Sequence, residues 1–139
     1  MKGVCPGSAR SWSVGSISPM GSLLVHITNG PEAPTRAALG FLVAKAGVEA
    51  GHEVTVFLAG DAVYLLKDEV IASLSGLGTG PLSETVPALV ESGAVIYASG
   101  MSAKGRGVTE ADLAGKGAVF AMPSKLVELT FAADRVLTY

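Results

Sequence analysis

Between Tyr97 and Gly107 the chain reads YASGMSAKGRG, a run of groups able to do chemistry. Ser99 and Ser102 supply hydroxyls, Gly100 lets a backbone come close to a ligand, and Lys104 and Arg106 are cations that can hold an anion through charge-assisted hydrogen bonds. No standard catalytic pattern is complete, however. Gly100 and Gly105 have P-loop spacing, but Arg106 and Gly107 stand where the phosphate lysine and the magnesium-binding hydroxyl belong. Ser99 lacks the glycine two residues earlier that a nucleophile elbow needs. GLGTGP, residues 76–81, is not a dinucleotide fingerprint either, since it does not join a first strand to its helix.

The remaining candidates are scattered. His26 falls inside an apolar run and His52 at the start of another, too far apart for a metal pair and with no cysteine nearby. Asp61 follows a strand-like run and is either a site carboxylate or a helix N-cap. Lys104 and Arg106 either bind an anion or are solvated. Cys5 is the single cysteine, which excludes an internal disulfide and suits a reducing, cytoplasmic setting.

These residues need a scaffold, and the chain punctuates itself regularly. SLLVHIT reads as a buried strand from Ser22, followed by the turn NGPEAP and a helix over about 35–50, with Gly51 as its C′ residue. HEVTVFLA is a second strand, GDAVYLLKDEVIASL one or two short helices, and LSETVPALVES a helix in which Pro87 belongs near the first turn. AVIYA is the third strand and SGMSAKGRG a loop. TEAD fits a capping box, AVFA is a fourth strand, PSKLVELTFAA a helix with Pro123 at its start, and DRVLTY the last strand. Apolar strands alternating with helices imply a three-layer α/β/α sandwich around a mainly parallel five-stranded sheet, of flavodoxin/Rossmann-like type. Its ligands lie at the carboxyl edge of the strands, which gathers Asn29, Asp61, Ser99, Gly100, Ser102, Lys104 and Arg106.

Residues 1–19 have no apolar period and read as a flexible leader before one domain over 20–139. Ten basic and twelve acidic residues, net charge −2, leave no footprint for nucleic acid. The apolar stretches are too short for a membrane span, so the 49% hydrophobic content points to surface hidden between subunits. No motif calls for a cofactor.

The order of elements, together with VHITNGPEAPTRAALGFLVAKAGVEAGHEVTVFLAGDAV, ASGMSAKGRGV and ADRVLTY, resembles the DsrE/DsrF/TusD-like family of small sulfur-relay proteins over nearly everything after Met20. That resemblance implies homo-oligomers (trimer or hexamer) or mixed hexamers and, in active members, a persulfide-carrying cysteine after the third strand, in a Cys-Gly-x-Cys loop followed by Arg-Gly. The matching positions here are Ser99, Gly100, Met101 and Ser102, with Arg106 and Gly107 as the Arg-Gly pair. Serine cannot carry a persulfide. Three readings follow: a DsrE-like oligomer that binds a small molecule, an anion or a partner protein at this edge; a sulfurtransferase subunit acting with a cysteine-bearing partner; and a structural subunit.

Overall fold

A computed structural model describes residues 20–139; the expected leader, 1–19, lies outside the described residues. Apolar, β-branched runs become strands β1 (Ser22–Ile27), β2 (Glu53–Leu58), β5 (Val95–Ser99), β6 (Ala118–Ala121) and β7 (Arg135–Thr138). They form one parallel sheet in the order β6-β5-β2-β1-β7. Between them lie helices α1 (Pro34–Glu49), α2 (Asp68–Ser73), α3 (Leu82–Ser92), α4 (Gly100–Arg106), α5 (Glu110–Leu113) and α6 (Pro123–Ala132). A 3₁₀ segment spans Gly60–Leu66.

Helix ends follow local chemistry. Pro34 and Pro123 open α1 and α6, where their missing N–H costs nothing. Gly51, at φ +90°, ends α1 in the left-handed conformation that only glycine adopts freely. The Asp112 carboxylate accepts the Thr109 N–H at 2.9 Å, one arm of the expected capping box at the start of α5.

Three expectations change. SGMSAKGRG is no loop: from Gly100 it is helix α4, with Ser99 as N-cap. Pro87 sits at the sixth position of α3, not in its first turn. The carbonyl of Ser83, deprived of its partner there, belongs to an exposed residue on an exposed side of the helix, where it is open to solvent. GLGTGP holds a hairpin of two short strands, β3 (Ser75–Gly76) and β4 (Gly80–Pro81).

Strand alternation sorts the sheet into two unequal faces. Val25, Ile27, Val56, Leu58, Ile96 and Ala98 point into the main core, where Phe41 of α1, Leu89 of α3, Ala103 of α4 and Leu113 of α5 cover them. The other face carries the row Val136, Leu24, Thr55, Val95 and the row Thr138, His26, Phe57, Tyr97, Val119. Topology explains the imbalance. Connections β1 to β2, β2 to β5 and β5 to β6 all step towards the same edge, so right-handed crossovers put their helices on one face. Only β6 to β7 returns, and among the described residues α6 alone covers the second face. Lys125 of α6 lies 5.5 Å from the centroid of the Tyr97 ring.

Candidate functional site

Because the strands are parallel, their carboxyl ends share one edge, and four chain segments meet there. The turn after β1 supplies Asn29, the start of the 3₁₀ segment Asp61, the end of β5 Ser99, and α4 the residues Gly100, Ser102, Lys104 and Arg106. The first two segments touch through backbone. A Cβ at Gly30 would run into the carbonyl of Asp61, so only glycine fits beside Asn29.

The polar groups of this edge are turned largely onto one another. Ser99 is buried, and its Oγ accepts the backbone N–H of Ser102 at 3.2 Å, which starts α4. The Ser102 Oγ in turn accepts the N–H of Gly60 at 2.9 Å, tying α4 to the segment after β2. Arg106 Nε donates to Asp61 Oδ1 at 2.9 Å, and its Nη1 donates to the Ser102 carbonyl at 3.2 Å. Asp61 is therefore an ion-pair partner rather than a side-chain N-cap: no side chain caps the 3₁₀ segment. Of the two expected anion ligands, Arg106 is engaged, whereas Lys104 is exposed and pairs with no carboxylate among the described residues. Asn29 is partly exposed in its turn.

What the edge shows to solvent is different in kind. Met101 is 66% exposed and Met122, directly after β6, 56%. On the other side of Asp61 an open depression of about 360 Å³ is lined by Pro31, Glu32, Asp61, Tyr64 and Val70. Glu32 spends one oxygen on the N–H of Gly30, at 2.9 Å.

The sequence brought Asn29, Asp61 and the α4 residues to one edge, and the structure places them there. It gave no hint of Glu32, Tyr64 or the Gly60 amide, whose places depend on turns without a period. His52 lies at the amino edge, where its Nδ1 accepts the Gly21 N–H at 3.1 Å. His26 sits on the face beneath α6, with Nε2 buried and without a hydrogen-bond partner. Burial holds its pKa below the usual 6.5. Among the described residues no three His, Cys, Asp or Glu side chains come together as a metal ion would require. No helix among them is long and apolar enough to cross a membrane.

The fold is shared with solved proteins. The crystal structure of the ychN protein from E. coli superposes with a TM-score of 0.71 at 19% identity, over 86% of this chain and 100% of that one. A conserved protein of unknown function, BT1422 from Bacteroides thetaiotaomicron, superposes with a TM-score of 0.58 at 16% identity, over 85% and 94% of the two chains. At such identities the likeness is one of fold. No curated protein sequence is significantly similar to the chain. The model of the DsrE/DsrF-like family matches residues 21–139, which is every strand and helix described above, and the chain belongs to that family.

Proposed function

We propose that the chain is a DsrE-like subunit of a homo-oligomer, trimer or hexamer, that carries no persulfide of its own and offers the carboxyl edge of its sheet to a partner protein. One observation carries this reading: the hydroxyls at the relay positions accept backbone amides and the guanidinium is held by Asp61 and the Ser102 carbonyl, while Met101, Lys104 and Met122 face solvent. Exposed methionines suit protein contact, because a flexible, polarizable thioether moulds to varied surfaces. A cysteine-bearing member of the same family is the partner of choice. Sulfur chemistry at this edge would then rest on the partner's thiolate, and this chain would shape the dock.

A small anion is the second reading, favoured by the exposed Lys104 alone. Native mass spectrometry of the chain mixed with a cysteine-bearing DsrE-family protein separates the two. The dock predicts a mixed complex that Met101→Glu with Met122→Glu abolishes, and no sulfur gained from a persulfide donor by the Cys5→Ala chain. No mixed complex, with thiosulfate or sulfate binding that Lys104→Ala removes, would replace the dock by the anion site.

A further inference from the structure

Asn29 carries the only side-chain amide in the sequence: there is no other asparagine and no glutamine. Gly30 follows it, and packing demands a glycine there, since a Cβ would strike the Asp61 carbonyl. Asparagine is thermolabile, and most of all before glycine, where no side chain hinders the next backbone nitrogen from reaching the amide carbon. Asn29 is half-exposed at the end of β1. The nitrogen beside it is held, however: the Gly30 N–H donates to Glu32 Oε1 at 2.9 Å.

We infer that Asn29 and Gly30 form a latent self-modification site at the carboxyl edge, and that Glu32 is its guard. The Gly30 nitrogen gives up its proton and bonds to Asn29 Cγ. The bond from Cγ to Nδ2 breaks, and the side-chain nitrogen leaves as ammonia, taking up one proton in exchange. Water then opens the resulting succinimide at either carbonyl, giving aspartate or isoaspartate. Water is the only other reactant, and nothing is oxidised or reduced. The attacking nitrogen develops negative charge as its proton goes. A carboxylate 2.9 Å away opposes that charge, and the charge-assisted hydrogen bond must break first. Glu32 is itself exposed, so the guard can be removed without disturbing the core. Isoaspartate would add one main-chain carbon just before Gly30, which has no room against Asp61. Asp61 in turn holds Arg106, so the modification would reach the rest of the edge.

The test incubates the full chain at neutral pH and follows intact mass, which rises as amide becomes acid and here reports Asn29 alone. Isoaspartyl methyltransferase labelling reads the second product. Native wild type should convert more slowly than the chain unfolded in guanidinium chloride. Glu32→Ala, with unchanged circular dichroism, should convert roughly tenfold faster than native wild type, the factor that one such hydrogen bond represents. A native wild type that converts as fast as the unfolded chain would overturn the guard, as would a folded Glu32→Ala no faster than wild type. No conversion even in the unfolded chain would overturn the site itself. The purified isoaspartate form should melt below Asn29→Asp, which bears the same charge on an ordinary main chain; equal melting would overturn the link to Asp61.

Discussion

Ser99 shows how one atom divides a relay site from a hinge of structure. Its Oγ starts a helix by accepting the Ser102 amide. A thiol in the same place would lie at a helix N-terminus, where partial positive charge favours the thiolate. In a Cys5→Ala background, Ser99→Cys should therefore titrate below the free-cysteine value of about 8.5. Because the position is buried, inorganic polysulfide should load it faster than a bulky donor, with the added sulfur located by mass spectrometry. A thiol that titrates as a free cysteine and stays unmodified would show that the relay environment is lost. The cations divide in the same manner. The Arg106 and Asp61 side chains are 30% and 44% exposed, so solvent screens the pair, and a double-mutant cycle should give a coupling below about 1 kcal/mol. Sulfate or thiosulfate affinity, where calorimetry detects it, should respond to Lys104→Ala more than to Arg106→Ala; the reverse order would mean that Arg106 leaves Asp61 to meet the anion.

Among the elements, α4 was the hardest to read and α3 the easiest to improve. The stretch SGMSAKGRG holds three glycines and two serines, the punctuation of a loop. It is helical because Ser99 caps it, Gly60 grips Ser102 and Asp61 holds Arg106, contacts reaching up to 45 residues along the chain. No local pattern reports such partners. Where the signal is local the sequence was explicit: Pro123 marked a helix start, and apolar runs marked all five strands of the main sheet. Ser99→Ala should cost about 1 kcal/mol in denaturant melts through the lost cap; no change would mean that tertiary contacts alone set α4. Pro87 interrupts α3 on its exposed side, against an intrinsic penalty of about 3 kcal/mol. Pro87→Ala should stabilise the protein by about 1 kcal/mol or more, less than the full penalty because the unfolded chain gains freedom. A fall in melting temperature would show that Pro87 itself is needed for packing.

For the molecule as a whole, the unequal faces of the sheet govern its response to acid. His26 lies mid-row on the face beneath α6, edge-on to Phe57 with ring centroids 5.9 Å apart, and its Nε2 is buried without a partner. Its folded pKa is depressed by burial, so as pH falls below 6.5 the unfolded chain binds the proton first. The stability His26 contributes is complete above 6.5 and is lost on acidification, by at most about 1.4 kcal/mol per pH unit. Asp112 is also depressed, chiefly by the Thr109 amide and then by Lys67, but acts only below about 3.8. Melting temperatures from pH 7.5 to 5 should decline in wild type and decline less in His26→Leu; equal slopes would put the acid sensitivity elsewhere.

Strand order also sets a timetable for biosynthesis. β7 closes the flank of β1, yet its pairing of Leu23 with Arg135 spans 112 residues (135 − 23). At ribosomal rates of about 5–20 residues per second, β1 is exported roughly 6–22 s before the strand that shields it. Through that interval the nascent chain shows the apolar, unprotected edge SLLVHI, which any extended segment can join. Growth temperature and translation speed should therefore govern its soluble yield more strongly than the folded domain's melting point would suggest.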